Sequence, residues 1–248
     1  MGRITEAVKH LIILNIVLFI APKLVGFDLQ NMFALHFPLN PQFGFWQILT
    51  HMFMHSQFTF MHILFNMYAL WAFGTPLEQM WGRNKFLFFY FSAGLGAAAI
   101  YTLANYYQYH SVYEDLSNIG VSATDIHNLV TNGQYDSRIL EQIPKEELSK
   151  IYNAYNSSAV GASGAIYGVL VAFGFAFPNA KLALIFFPVP IAAKYFIPLI
   201  ILGDLFFGLT GYSIGSGPNV AHWAHVGGAL IGFLIVWYWK QHQFKRWD

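Results

Sequence analysis

Long apolar runs separated by short polar segments make up most of the chain. Six runs reach about the 20 residues that a helix needs to cross a bilayer core of ~30 Å. They cover residues 8–27, 55–74, 86–103, 160–177, 194–212 and 221–239. The runs are continuous rather than alternating, and hydrocarbon offers no partner to free backbone amides, so they predict helices rather than barrel strands. We therefore predict an all-α polytopic membrane protein with six transmembrane helices.

The composition agrees with a chain that faces lipid. Hydrophobic residues make up 56% of it, charged residues make up 10%, and the net charge of +1 indicates no charged partner. No nucleic-acid partner is expected. The chain has no cysteine, which excludes disulfides, thiolate nucleophiles and Cys-ligated zinc. With 248 residues, six spans leave no room for a second large domain, so residues 1–248 are expected to form a single membrane domain.

The positions of Lys and Arg predict an orientation. Ala21-Pro22-Lys23 stands where a cleaved signal peptide would have small residues, so the first run is expected to remain as helix one. Bases near the span ends favour the side that carries both termini, which is therefore expected to be cytoplasmic. That side has Arg3, Lys9, Arg83, Lys85, Lys181, Lys194, Lys240, Lys245 and Arg246, against Lys23, Arg138, Lys145 and Lys150. The compact length and the lack of a transit segment favour a bacterial inner membrane.

A serine and a histidine stand at the starts of two spans. Ser163 lies in Gly161-Ala162-Ser163-Gly164, and His225 lies in Ala221-His222-Trp223-Ala224-His225. In the predicted topology both helices descend from the outer face, so both residues lie at one depth. A Ser and a His within transmembrane segments point to nucleophilic acyl transfer, with the Ser as nucleophile and the His as base. Taken singly, each has another explanation, as a packing serine or as a core histidine.

Small residues predict where these two helices touch. Gly164 and Gly168 are one turn apart on the fourth predicted helix, and Gly228 and Gly232 are one turn apart on the sixth. Such pairs allow two helix backbones to approach closely. The glycines locate a contact between the two helices, although packing alone would explain them equally well.

Helix two carries candidate donors for an oxyanion. His62 and Asn66 are four residues apart and so share a helix face, and both are costly in lipid unless they turn inward. The backbone N–H of Ser163 is a further candidate, because the first turn of a helix leaves its amides unpaired. Alternatively, His62 and Asn66 form a hydrogen-bonding pair that serves only helix assembly. Tyr167, one turn below Ser163, could stack on His225 or be a plain core aromatic.

Other polar residues in or near the spans receive structural interpretations. His51 and His55 are four residues apart, with His62 nearby, and a zinc site is one interpretation. No His-Glu-x-x-His pattern or partnering acid accompanies them, so no metal is expected. Asp204, the only acid in the fifth span, could be proposed as a third catalytic residue. Its position toward the outer end of that helix is explained by capping or by interfacial water, and we prefer that explanation.

Residues 104–158 form a long polar insertion between the third and fourth spans. It holds most of the acidic residues of the chain and should lie in water outside the cytoplasm. Apolar residues recur at roughly helical spacing, which predicts one or two amphipathic helices folded on the outer face. These residues are Ile139, Leu140, Ile143, Leu148, Ile151, Tyr152 and Tyr155. The insertion could be a substrate exosite or lid, or a surface elaboration without a role in cleavage.

Four ordered motifs carry a resemblance to a known family. They are Trp46-Gln47 through Thr50-His51-Met52-Phe53-Met54-His55, His62-Ile63-Leu64-Phe65-Asn66, Gly161-Ala162-Ser163-Gly164-Ala165-Ile166-Tyr167-Gly168, and Ala221-His222-Trp223-Ala224-His225-Val226-Gly227-Gly228. With them the chain resembles, along nearly all its length, the rhomboid intramembrane serine proteases. The resemblance implies a nucleophile, Ser163, a general base, His225, a ring stacked on that base, Tyr167, and an oxyanion hole lined by His62 and Asn66. Gly161 and Gly164 flank the nucleophile.

The resemblance also implies a mechanism and a class of substrate. Rhomboids use a Ser-His dyad without a third acid, need no cofactor, and cleave single-span membrane proteins from a water-filled cavity within a six-helix bundle. One departure is Trp46-Gln47, where many members have Trp-Arg, so the network of that loop must be absent or rebuilt. A rhomboid-like protein that binds membrane proteins without cutting them is the alternative function. The two halves of the chain share no repeat pattern, which disfavours a transporter.

Overall fold

The computed structural model describes residues 3–26, 28–57, 60–184, 187–211 and 220–243. Four residues of the predicted spans, Phe27, Phe58, Thr59 and Tyr212, lie outside this part. The helices are α1 Glu6–Val25, α2 Leu29–Phe33, α3 Gln47–Thr50, α4 Phe60–Ala69, α5 Thr75–Trp81, α6 Arg83–Asn118, α7 Ala123–Asn132, α8 Lys145–Asn156, α9 Ser163–Ala176, α10 Ala193–Thr210 and α11 Val220–Gln243. Short 3₁₀ helices cover His51–Phe53 and Ser137–Glu141, and a π-helical turn covers Leu70–Gly74.

The predicted all-α membrane fold is confirmed. In the described residues, three helices are long and apolar enough to cross a bilayer, namely Glu6–Leu24 within α1, all of α6, and all of α10. The sequence did not predict the antiparallel hairpin between α9 and α10, formed by β1 Lys181–Leu184 and β2 Phe187–Ala192. Its strands pair Lys181 with Ala192 and Leu184 with Phe187.

The second predicted span is one helical segment interrupted by a wide turn. α4 leads into the π-helical turn and then into α5, so that helix continues from Phe60 to Trp81. Pro76 explains the turn, because proline has no N–H to donate and its ring crowds the carbonyl four residues earlier, at Ala72. The helix therefore ends seven residues beyond the boundary at residue 74 that the sequence suggested.

The third predicted helix extends far beyond the apolar run. α6 continues to Asn118, where the sequence suggested an end at residue 103. Residues 97–118 include no Gly or Pro that would stop a helix, and Val112 and Leu116 are buried against the rest of the insertion. The insertion has a small core, to which α7, α8 and the segment before α8 contribute Ile126, Leu129, Val130, Ile143, Leu148, Ile151 and Tyr155. It is tied back to the loop after α2, where Leu35 pairs with Ala159.

Glycine and alanine bring the backbones of α6, α9 and α11 into close contact. A Cβ on Gly164 would lie 2.4 Å from the Cβ of Ala97, and one on Gly168 would lie 2.5 Å from the Cβ of Ala93. A Cβ on Gly228 would lie 1.8 Å from the carbonyl oxygen of Gly164. Since no side chain fits at that distance, the contact between α9 and α11 depends on glycine at this position.

A buried glutamine organises the loop that precedes the second span. The side chain of Gln47 is fully buried, and its Oε1 accepts from the His36 N–H at 3.2 Å. Its Nε2 donates to the carbonyls of Met32 at 3.2 Å and Gln42 at 2.8 Å. The loop network is thus rebuilt around an uncharged side chain at the position where many rhomboids have arginine.

The end of the same loop supports the approach to α9. His51 Nδ1 donates to the Gln47 carbonyl at 2.9 Å, and the His51 carbonyl accepts from the Gly161 N–H at 2.9 Å. Burial lowers the pKa of His51 from its ordinary value of 6.5 to about 4, so the ring is neutral at pH 7. A neutral, fixed His51 therefore holds the residue two positions before Ser163.

Gly228→Ala should disrupt the packing of α9 against α11. The new methyl group would overlap the Gly164 carbonyl, so we expect a loss of about 3 kcal/mol or more in the free energy of unfolding. Gly203→Ala on α10 is the matched control, because nothing lies within 4 Å of its Cβ position and alanine favours a helix. Thermal unfolding in detergent measures both. Equal melting temperatures for the two variants would contradict the proposed role of this contact.

The stability of the protein should fall as the pH drops below 6.5, in part through His51. Its pKa is lower in the folded state, so the unfolded state binds the proton first and acidification favours unfolding. At pH 5 the titration of His51 should lower the free energy of unfolding by about 2 kcal/mol relative to its value near neutral pH. His51→Asn keeps a side-chain donor without the titration, and it should flatten the dependence of the melting temperature on pH between 7 and 5. The exposed His127→Asn is the control, and identical curves for the two variants would refute this assignment.

Candidate active site

The loop before α9 presents Ser163 at the first position of that helix. Gly161 has a φ of 122°, a conformation that side-chain-bearing residues rarely adopt, and its N–H is bonded to His51. The turn at Gly161 lets the chain enter α9 at Ala162 and Ser163. Because the amides of a first helical turn have no partner within the helix, the Ser163 N–H points out of the helix end.

His225 lies within hydrogen-bond distance of Ser163. The Nε2 of His225, on α11, is 2.9 Å from the Oγ of Ser163, on α9. The two residues are 62 positions apart in the chain. They meet because α9 and α11 touch at Gly164, the residue after Ser163, and at Gly228, about one turn after His225. The structure therefore brings together the two residues that the sequence singled out as nucleophile and base.

Tyr167 stacks on the imidazole of His225. The two ring centroids are 4.2 Å apart and the ring planes differ by 8°. The tyrosine hydroxyl donates to the Asp204 Oδ2. Tyr167 thus restrains His225 in two ways, by covering one face of its ring and by holding the acid that contacts its edge.

Asp204 contacts His225 directly, which contradicts the expectation that it only caps a helix or meets interfacial water. Its Oδ1 lies 3.2 Å from the His225 Nδ1 and 2.5 Å from the His222 Nδ1. The residue is buried, and its carboxylate accepts from three side chains when the hydroxyl of Tyr167 is included. An ionisable residue within a span is expected to have a functional partner, and this rule was the signal in the sequence. His222, three residues before His225, is the other residue that sequence reasoning passed over.

The carboxylate determines which nitrogen of His225 carries the proton. An ionised carboxylate only accepts hydrogen bonds, so the His225 Nδ1 that faces it must be the N–H. The Nε2 of the neutral ring then has a free lone pair, which points at the Ser163 hydroxyl. This is the tautomer that a general base needs.

His62 and Asn66 both lie on α4, and His62 lies close to Ser163. The Cβ position of Gly161 is 3.0 Å from the His62 Nε2 and 3.6 Å from the Ser163 Oγ, so the ring nitrogen and the hydroxyl flank the same point. The Asn66 Nδ2 donates to the backbone carbonyl of His62 at 2.7 Å. Its buried Oδ1 has no hydrogen-bond partner among the described residues. The structure therefore places His62 at the site, while the Asn66 amide is engaged with the helix backbone.

Metal-ligand chemistry would centre on Asp204 rather than on His51 and His55. In the part of the chain that the structure describes, one ligand atom each from Asp204, His222 and His225 lie within 4.8 Å of one another. Hydrogen bonds from the two Nδ1 atoms to the carboxylate already account for these contacts. His51 is bonded to Gln47, and His55 lies 5.2 Å from His62, measured between ring centroids.

Comparison with known proteins identifies the family that this chain resembles. The family model described as the Rhomboid domain matches residues 42–124 and 143–242, which together make up most of the chain. Rhomboid protein 1, mitochondrial, from Saccharomyces cerevisiae is 27% identical over 186 residues, covering 75% of this chain and 39% of that protein. The human presenilin-associated rhomboid-like protein, mitochondrial, is 28% identical over 194 residues, covering 76% of this chain and 38% of that protein.

These relatives bear on the membrane as well as on the family. The chain spans about two fifths of the length of these relatives, whose names place them in mitochondria. They give no support to the bacterial inner membrane expected from the sequence, and the chain is best described as a helical integral membrane protein. The match over most of its residues confirms the resemblance that the motifs suggested: this chain belongs to the rhomboid family.

Proposed function

We propose that this protein is an intramembrane serine endopeptidase that cleaves the transmembrane segments of other membrane proteins. The hydrogen bond of 2.9 Å between the Ser163 Oγ and the His225 Nε2 is the observation that carries the proposal. Members of the rhomboid family act as intramembrane serine proteases, and membership in it supports the same reaction. No metal or cofactor takes part in the proposed chemistry.

In the proposed reaction, the proton of Ser163 moves to the His225 Nε2 as the Oγ attacks the scissile carbonyl carbon. The C–O bond forms, and the carbonyl oxygen becomes an oxyanion. The C–N bond then breaks, and His225 delivers its proton to the departing amine. Water, deprotonated by the same Nε2, hydrolyses the acyl-enzyme and restores the Ser163 hydroxyl.

His62 and the Ser163 N–H are the proposed donors to the oxyanion. The His62 Nε2 lies next to Gly161, two residues before Ser163, and Ser163 opens the first turn of α9. Preorganised donors of this kind commonly supply the largest electrostatic contribution to acyl transfer. Asn66 is proposed as a further donor, and this role requires its amide to turn from the His62 carbonyl toward the substrate.

Asp204 is proposed as a residue that positions His225. It holds the Nδ1 proton and hence the tautomer in which Nε2 accepts the proton of Ser163. This arrangement adds an acid to the Ser-His dyad implied by the resemblance. Tyr167 restrains the same acid through its hydroxyl.

The dimensions of α9 support a site below the membrane surface. Its 14 residues span about 21 Å at ~1.5 Å per residue, which is less than the ~30 Å of a bilayer core. If its far end reaches the Lys- and Arg-rich side, Ser163 lies within the membrane and the site opens to the opposite side, which is extracytoplasmic in the predicted orientation. We therefore propose that the site opens to the extracytoplasmic side and that the substrates are single-span membrane proteins. The proposal does not extend to a particular membrane.

Labelling with a fluorophosphonate probe tests the nucleophile without a known substrate. The probe should react covalently with the detergent-purified protein, and the signal should vanish in Ser163→Ala and His225→Ala, since one removes the oxygen and the other its base. Ser149→Ala, on the exposed face of α8, is the control and should label like the original chain. Absence of labelling in a well-folded protein would favour the alternative, a rhomboid-like protein that binds without cutting.

Asp204→Asn tests the positioning role. The amide can present an N–H to the His225 Nδ1 and so favour the wrong tautomer, and we expect the rate of cleavage or labelling to fall by about 10² to 10⁴. The acidic limb of the pH–rate profile should also move, which a purely structural role would not cause. His222→Ala removes the other histidine on Asp204 and leaves the contact with His225, so its loss of rate should be much smaller. Equal losses in both variants would exclude a specific effect on His225.

A further inference from the structure

An apolar groove with a volume of about 750 Å³ lies between α9, α10 and α11. Its wall is formed by aliphatic and aromatic side chains, among them Val171, Phe175, Ile201, Leu202, Leu230 and Phe233. The groove belongs neither to the dyad nor to the oxyanion donors. It is a separate feature of the part of the bundle that carries α10.

Contacts at two places hold α10 against α9 and α11. Near its start, Ile197 packs against Gly174 of α9, where a Cβ would lie 3.1 Å from the isoleucine Cδ1. Further along α10, Asp204 contacts α11. Gly208 lies against Trp223, whose Cε2 is 3.3 Å from the position that a Cβ on Gly208 would take. The groove runs beside the first of these contacts, along α10 from Ala193 to Leu202.

Two lysines line the same groove. Lys194 lies at the start of α10 and Lys240 lies near the end of α11, and both side chains are exposed. In the described part of the chain neither amine has a carboxylate within ion-pair distance. The Nζ of Lys194 lies 5.2 Å from the centroid of the Tyr195 ring. The groove therefore offers two positive charges beside an apolar channel.

Aromatic residues indicate that this end of α11 lies at the membrane interface. Trp239, next to Lys240, packs edge-on against Trp81 at a centroid distance of 5.2 Å, and the Nζ of Lys85 lies 4.2 Å from its ring centroid. Tryptophan and lysine gather where lipid headgroups meet the hydrocarbon. The amines of the groove are thus placed at the depth of phosphate groups.

The length of the groove fits an acyl chain. From Lys240 to Val226 the groove follows α11 over about 21 Å at ~1.5 Å per residue, which is more than half of a ~30 Å bilayer core. We propose that the groove binds one anionic phospholipid, with its phosphate between Lys194 and Lys240 and an acyl chain between α10 and α11. Basic pockets between transmembrane helices are suited to such headgroups. This site is independent of the proposed protease activity.

Native mass spectrometry of the detergent-purified protein tests the site. Phosphatidylglycerol, added at a series of concentrations, should remain bound more tightly than phosphatidylcholine with the same acyl chains. Lys194→Gln with Lys240→Gln should weaken the binding of phosphatidylglycerol roughly 30-fold and leave phosphatidylcholine unchanged. Lys9→Gln with Lys85→Gln is the control, because it removes the same charge from lysines outside the groove.

A second variant tests the acyl-chain channel separately from the charges. Leu230→Trp adds bulk to the groove wall and keeps both lysines, so it should also lower the occupancy of phosphatidylglycerol. Circular dichroism and the melting temperature verify that each variant is folded. Equal retention of the two lipids by the original chain would overturn the proposal. An equal loss in the Lys9 and Lys85 control would do the same, since the effect would then reflect net charge alone.

Discussion

The site depends on the close approach of α9 and α11. Hydrophobic burial cannot drive helix association in lipid, so the contact relies on close van der Waals packing. Here that packing requires Gly164 to face Gly228. The same register that lets these backbones touch brings Ser163, next to Gly164, within hydrogen-bond distance of His225, about one turn before Gly228. A shift of one residue would turn His225 away from the hydroxyl. Packing and chemistry are therefore fixed by one set of contacts.

Charge within the bundle is the second constraint. Asp204 is buried in apolar surroundings, and its carboxylate is tolerated because three side chains donate to it. Two of these donors also contact each other, because Tyr167 stacks on His225. His225 in turn faces Ser163. Loss of one member would leave a buried polar group without its partner, which costs more than the missing bond alone. The chain of contacts thus maintains a proton arrangement as well as a geometry.

The sequence predicted what apolar periodicity and local motifs encode. The lengths of the apolar runs indicate helices, and the matching depths of Ser163 and His225 indicate that the two residues can meet. Both inferences require only the positions of residues along a helix. The contact between Asp204 and His225 depends on how α10 and α11 are rotated about their axes. The length of an apolar run does not determine this rotation, so we expected only a capping role for Asp204. The extension of α6 to Asn118 depends on packing under the insertion, which hydropathy does not register. The π-helical turn was foreshadowed only by Pro76.

One helix, α10, connects the interior of the site with the lipid around it. Its Asp204 contacts His225, while Lys194 and further residues up to Leu202 line the groove. A rotation of this helix would change the distance between the Asp204 carboxylate and the His225 Nδ1. Because productive geometry must hold to within about 0.5 Å, the position of α10 matters to the proposed role of Asp204. The closely packed helices α9 and α11 hold Ser163 and His225 within hydrogen-bond distance, and α10 brings Asp204 to the other nitrogen of the same imidazole.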